Sequence, residues 1–240
     1  MPGHLIAPTS VLAELVLANR MLAHEGILDG YGHVSARCDD DPQRYLIGDA
    51  SPPGNVRAQN VFRWNLDNEP VGHTRPTYGE RFIHGCIYRA RPDVQAIVHC
   101  HAPALIPFTV SEIPLRPIFH MAGFQGEAPL PVFEIRDRFG PDTAITINTN
   151  EQGNALAESL GERAAVLMRG HGATIVATSV PQAVLYAVYA VLNAQMLTTT
   201  LLLGAKHPTY VNDAEGRNLM SKVRDGSRTW DYLAHLIEGR

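Results

Sequence analysis

Cysteine is scarce in this 240-residue chain: Cys38, Cys86 and Cys100 stand far apart, and no two form a C-x-x-C pair. An odd, sparse count argues against a disulfide framework and points to a reducing compartment, so a cytoplasmic location is expected. Charge is also scarce, at 18% of residues, and its balance is −4. That leaves no basic surplus to meet a nucleic-acid backbone, and no nucleic-acid partner is expected. The opening MPGHLIAPTS lacks a basic start followed by an apolar core, so no signal peptide is expected. There is no internal repeat and no low-complexity tract. One long stretch, Pro181 to Ala205, carries no charge and is long enough to cross a bilayer. Gln182, Asn193, Gln195 and Thr198 to Thr200 interrupt it and no basic cluster flanks it, so it is predicted to be a buried helix rather than a membrane span.

Apolar residues are plentiful, at 45%, which excludes a mostly disordered chain. A chain of this length buries about two-thirds to three-quarters of its unfolded surface. With no sharp linker, one domain over 1–240 is expected, with a core over about 10–205 and a tail over 206–240. Histidine is abundant, at 11 residues, and it is the side chain whose chemistry lies nearest neutral pH.

Hydrophobic spacing predicts a first helix through Leu12, Leu15, Val16 and Leu22, capped by Thr9 or Ser10 and ended by Gly26. GYGHVSAR and YLIG are predicted strands, and VFRWNLDNEPV a hairpin turning at Asp67-Asn68. A second helix is predicted over about 78–90, a strand over 94–99 and a short kinked helix over 103–110. PLRPIFHM and LPVFEI are strand candidates, and 152–160 is a helix candidate. AAVLMRG and GATIVA are predicted paired buried strands separated by His171. Ser179 is placed to cap the long apolar helix, and a modest helix is expected around 230–237. Strands and helices mixed in this way suggest a sheet covered on both faces.

Val98-His99-Cys100-His101-Ala102 is the strongest local feature. In a strand, residues i and i+2 point to one side, so two imidazoles can reach one metal ion. Imidazole suits zinc, iron, manganese or cobalt. Alone, the pair also suits two strand-end histidines with no metal. Arg169-Gly170-His171-Gly172 places a third histidine between glycines, where the backbone can turn and approach a neighbour closely. Glu80, four residues before His84, offers a carboxylate. Spacing leaves its role open between fourth ligand, general base, general acid and a glutamate favoured by a helix N-terminus.

These segments, in this order, resemble the class II aldolase/adducin family over about residues 10–205. GHVSAR is similar to that family's Gly-Asn-(Ile/Val)-Ser-Ala-Arg segment, Gly79-Glu80-Arg81-Phe82 to the segment of its catalytic acid, VHCHAP to its His-x-His metal pair, and RGHGATIVA to the segment of its third histidine. The resemblance implies a three-layer α/β/α fold with a central mixed, largely antiparallel sheet, and a homotetramer with sites near subunit interfaces. It implies a divalent metal on His99, His101 and His171, with Glu80 as acid/base residue and a further ligand when substrate is absent. It also implies that a tail tyrosine, Tyr210 or Tyr232, reaches a neighbouring subunit's site.

The departures from the family pattern bear on substrate. Members acting on sugar phosphates hold the phosphate with an Asn, a Thr-Gly pair and a Ser-Ser pair. Here His33 replaces the Asn, Tyr78 and Gly79 replace the serines, and Gly48-Asp49-Ala50 puts a carboxylate where phosphate needs donors. A sugar phosphate is therefore not expected, and Tyr78, Pro53, Phe119 and Phe124 suggest a flatter, more apolar pocket. RFIHGCIYRARPDVQAIVHCHAPALIPF further resembles a subgroup of dihydroxyphthalate-type decarboxylases. This implies a metal-dependent carbon–carbon lyase that decarboxylates a dihydroxylated aromatic acid. Glu80 or His33 would deliver the proton, and Ser35, Arg37, Arg169, Tyr78 and His120 would contact substrate. The alternatives are an aldolase acting on a non-phosphorylated hydroxy-keto acid, an iron-dependent oxygenase, and a non-catalytic adducin-like scaffold, which has no need of four convergent ligands.

Overall fold

The computed structural model describes residues 11–223 and 225–238; the expected cap at Thr9 or Ser10 lies outside them. Seven strands form one sheet: β1 (His33–Arg37), β2 (Arg44–Gly48), β3 (Val61–Asn65), β4 (Ala96–Cys100), β5 (Val132–Phe133), β6 (Ala165–Met168) and β7 (Gly172–Ala177). Their order across the sheet is β3-β2-β1-β4-β7-β6-β5. Every pairing is antiparallel except β5 with β6. The sheet is thus mixed and largely antiparallel, as the resemblance implies.

Strand periodicity sorts the side chains into two cores. Val34, Ala36, Ala96, Val98, Cys100, Leu167, Ala173 and Ile175 pack with α1 (Val11–His24), α6 (Val180–Leu202) and α8 (Ser227–Glu238). Tyr45, Ile47, Ile97, Val166, Met168 and Val176 pack with α2 (Arg81–Ala90) and α5 (Asn150–Leu160). The result is three layers, α/β/α. The same alternation sets His33, Ser35 and Arg37 of β1 and His99 of β4 on the α2/α5 face, and the register places His33 opposite His99.

Ser179 caps α6 as expected, its hydroxyl accepting from the Gln182 amide at 3.2 Å. This 23-residue helix is long and apolar enough to cross a membrane, and half of its most apolar window is buried inside the protein. Its buried Asn193 takes up the amides of Ile118 (2.9 Å) and Phe119 (3.2 Å). That contact explains why PLRPIFHM is not the expected strand: its backbone donors go to a side chain, and it continues into a 3-10 turn over His120–Gln125. Two short helices, α3 (Ile106–Val110) and α4 (Arg136–Phe139), follow β4 and β5 in the chain. The tail holds one helix more than expected, α7 (Asp213–Val223), packed on that 3-10 turn.

Candidate metal centre

Three separate elements bring four ligand groups together. His99 is on β4 and His101 lies one residue past its end. His171 sits in the β6–β7 turn. Gly170 makes that turn at φ 63°, and a Cβ at Gly172 would overlap the Cys100 carbonyl of β4. Both glycines are thus needed to lay His171 against His101. Glu80 occupies the cap position just before α2, where a helix beginning at 78 would have placed it inside.

The Nε2 atoms of His99 and His101 are 3.1 Å apart, as are those of His101 and His171. Glu80 Oε2 lies 3.4 Å from His99 Nε2 and 3.3 Å from His171 Nε2. All four ligand atoms fall within 4.8 Å of one another. Nitrogens bound at about 2.0–2.1 Å to a tetrahedral ion stand roughly 3.3–3.4 Å apart. Four of the six pairs, at 3.1–3.4 Å, lie close to that spacing, and the other two lie within 4.8 Å.

The outer ring nitrogens decide the tautomers. His101 Nδ1 meets the Asp29 carboxylate at 3.1 and 3.2 Å. His171 Nδ1 donates to the Ile145 carbonyl at 2.6 Å. The Thr174 hydroxyl donates to Met168 Sδ, leaving its oxygen to accept from His99 Nδ1 at 3.3 Å. Each Nδ1 is therefore a donor and each Nε2 turns a lone pair inward, the arrangement of metal-ligating histidines. Three lone pairs facing one another in a half-buried space repel unless a cation lies between them. A divalent metal fits this site.

Charge is distributed to match. Burial opposes ionisation of Glu80, but the neighbouring His99 and His171 overcome it and hold the carboxyl well below the usual carboxylate range. Burial lowers His99, while for His171 the contact with Glu80 outweighs burial and raises it. Glu80 Oε1 accepts from the Ile147 amide at 2.9 Å, so Oε2 is the oxygen left for chemistry. Ile145, between these two anchoring contacts, has φ 60°, a left-handed conformation that strains a β-branched residue. The segment thus holds a costly backbone shape while its carbonyl orients a ligand.

His33 is brought beside the cluster, its ring centroid 5.0 Å from that of His99. Tyr78 packs on His33 at 4.4 Å, with its hydroxyl donating to the Ser51 carbonyl at 2.6 Å. Other expected substrate contacts are placed elsewhere. Ser35 is buried, bonded to His84 and Tyr88. Arg37, at the far end of β1 from His33, donates to the carbonyls of Val94, Pro42, Tyr88 and Arg91, so its guanidinium braces backbone rather than facing substrate. Arg169 is held in a two-point pair by Glu134, at 2.7 and 3.1 Å. His120 is exposed and lines a cavity of about 960 Å³ with Phe119, Tyr189 and Tyr232 among α6, α7 and α8; none of the four cluster residues lines it. Tyr210 lies under Arg116. Phe124 stacks on Tyr186 of α6, and Phe119 packs near Tyr189, so these two rings of the expected apolar pocket pack against α6, while Tyr78 lies beside His33.

Asp29, Thr174 and Ile145 carried no sequence signal, because their roles depend on contacts across the fold. His84 was visible as the i+4 neighbour of Glu80, but its partners, Ser35 and His33, come from another element.

The Class II Aldolase and Adducin N-terminal domain matches residues 13–198. The chain is 34% identical over 212 residues to "Decarboxylase tropJ" of Talaromyces stipitatus, covering 82% of this chain and 79% of that protein. It is 30% identical over 190 residues to the 3,4-dihydroxyphthalate decarboxylase of Arthrobacter keyseri, covering 72% of each. Its fold matches the crystal structure of an aldolase II superfamily protein from Pseudomonas syringae with TM-score 0.76 at 21% identity, covering 98% of this chain and 95% of that one. An L-fuculose 1-phosphate aldolase matches with TM-score 0.73 at 22% identity, covering 92% and 99%. At these identities the structural likeness speaks for fold alone. The layered fold, the four-ligand cluster and the decarboxylase relatives support a metal-dependent lyase. The chain belongs to the class II aldolase/adducin family.

Proposed function

We propose that this protein is a non-oxidative, divalent-metal-dependent decarboxylase of a dihydroxylated aromatic carboxylic acid of the 3,4-dihydroxyphthalate type. The observation that carries this reading is the convergence of three imidazole lone pairs with a free carboxylate oxygen, in a chain whose relatives include 3,4-dihydroxyphthalate decarboxylases. His99, His101 and His171 would hold the ion, with Glu80 as an additional ligand. When bound, a divalent metal supplies Lewis acidity toward adjacent substrate oxygens, which drains charge from the carbon that loses carbon dioxide. Glu80, ionised in the free site, would accept a proton from a substrate hydroxyl at Oε2 and return it to the carbon that loses carbon dioxide.

The region where relatives acting on sugar phosphates need donors supports an unphosphorylated substrate. The Asp49 carboxylate already accepts from the Ser51 amide (3.0 Å) and the Asn60 side chain (3.0 Å), and the Asp49 amide is bonded to the Asn60 carbonyl. A phosphate there would meet a carboxylate and donors committed elsewhere. The test is a metal assay on the purified protein followed by a carbon dioxide release screen over catechol carboxylates. Metal-dependent release from 3,4-dihydroxyphthalate is the expected result. An aldehyde product from unphosphorylated hydroxy-keto acids, with no carbon dioxide released, would assign an aldolase instead.

A further inference from the structure

A chain of polar groups runs from the cluster into the core. The Tyr88 hydroxyl lies 2.8 Å from Ser35 Oγ, Ser35 Oγ lies 2.6 Å from His84 Nδ1, and His84 Nε2 lies 2.7 Å from His33 Nδ1. Ser35 and His84 are fully buried, and His33 and Tyr88 are 1% exposed. Each proton in such a chain has to find its acceptor within it.

Tyr88 sets the direction. Among the described residues, Ser35 Oγ is the hydrogen-bond partner of its hydroxyl, so the phenol proton is donated to Ser35. Ser35 has one proton, and it passes to His84 Nδ1. A neutral His84 that accepts at Nδ1 carries its own proton on Nε2 and donates to His33 Nδ1. A neutral His33 that accepts at Nδ1 carries its proton on Nε2. The reverse direction would leave the Tyr88 proton without an acceptor in the core. The forward direction also keeps both rings neutral, because an imidazolium would put a second proton on a nitrogen that has to accept, Nδ1 of His84 from Ser35 and Nδ1 of His33 from His84.

We propose that Tyr88, Ser35 and His84 form a one-way relay that fixes His33 as its Nε2–H tautomer, so that His33 offers a hydrogen-bond donor to an anionic oxygen of the substrate. Among the described residues, His33 Nε2 has no hydrogen-bond partner, and the ring lies between Tyr78 and His99 at the edge of the metal cluster. If His33 gave up this proton it would become an imidazolate, or it would draw protons along the chain and leave a phenolate at Tyr88, which burial strongly disfavours. His33 therefore binds substrate and carries no proton to it, which leaves proton delivery to Glu80. Tyr88, Ser35 and His84 act through His33 as positioning residues. The substrate half of the proposal rests on the decarboxylase reading; the tautomer half does not.

The test uses the full-length, zinc-loaded protein labelled with [15N]histidine. Two-bond 1H–15N correlation spectra distinguish the tautomers, and loss of signals in His33→Leu identifies His33. An Nε2-protonated His33 is expected, and an Nδ1-protonated or cationic His33 would overturn the relay. His84→Gln keeps an amide donor for His33 and should keep the Nε2–H pattern, while His84→Leu should lose it. With 3,4-dihydroxyphthalate, His84→Leu should raise KM about tenfold with a smaller change in kcat, and His84→Gln should restore KM to within about threefold. An unchanged KM in a His84→Leu protein that has lost the tautomer pattern would overturn the donor role. The spectra need no turnover. A protein that shows the Nε2–H pattern but releases no carbon dioxide upholds the relay and refutes only the decarboxylase reading.

Discussion

Individual side chains in this site are defined by what their second polar atom does. His101 turns Nε2 to the cluster because Asp29 holds its Nδ1, and Asp29 is itself fixed by the amides of Tyr31 (2.8 Å) and Gly32 (2.9 Å). An Asp29→Asn change keeps an oxygen for those amides and removes the charge behind His101. Metal affinity is expected to fall about 10- to 100-fold, as measured by chelator competition. Glu80 and His101 should separate under mutation. His101→Ala removes a central ligand and should lose both bound metal and turnover. Glu80→Gln keeps an oxygen near the imidazoles and should retain much of the metal while losing about 100-fold or more in kcat. Metal content by elemental analysis beside steady-state rates checks the pair, and full activity in Glu80→Gln would remove its proton-transfer role.

Pairs of elements set the spacing between those side chains. β4 and β7 meet where Gly172 passes the Cys100 carbonyl, and that approach carries His171 to His101. Gly172→Ala forces the strands apart. Destabilisation of about 1–3 kcal/mol is expected in urea titrations, together with weakened metal binding. Between α2 and β1 the link is His84, buried and neutral. Its folded value, pushed down to about 3 chiefly by burial, lies below the ordinary 6.5. Within that window the unfolded chain takes a proton that the folded chain refuses. Stability therefore falls as pH drops from about 6.5 toward 3, by about 1.4 kcal/mol per unit from this group. Urea midpoints of the metal-free protein between pH 7 and 5 should show the slope, and His84→Gln should reduce it.

For the whole molecule, metal binding is linked to folding, because the ligands come from β4, the β6–β7 turn and the start of α2. An ion present at 1,000 times its dissociation constant stabilises by about 4 kcal/mol, which for a chain of this size raises Tm by roughly 8–16 °C. Thermal melts with and without EDTA, and after adding the ion back, should show that difference. Much of this centre is legible in the primary structure. His99 and His101 share a side because strand periodicity is local, and the glycines around His171 announce a tight turn because few other residues tolerate one. The long apolar run was readable as a capped helix from Ser179 and Pro181. Arg37, Arg169 and Ser35 were not legible in the same way. Nothing near them in the chain reveals that Arg37 would meet the carbonyls of Val94 and Tyr88, or that Arg169 would meet Glu134, and these contacts occupy both guanidinium groups. The chain alone determined which groups can ligate a metal and which strands carry them, since both follow from residue type and short-range geometry. Only the tertiary structure decided which nitrogen of each ligand histidine faces inward, because that depends on an acceptor supplied from a distant segment: Asp29 for His101, Ile145 for His171 and Thr174 for His99.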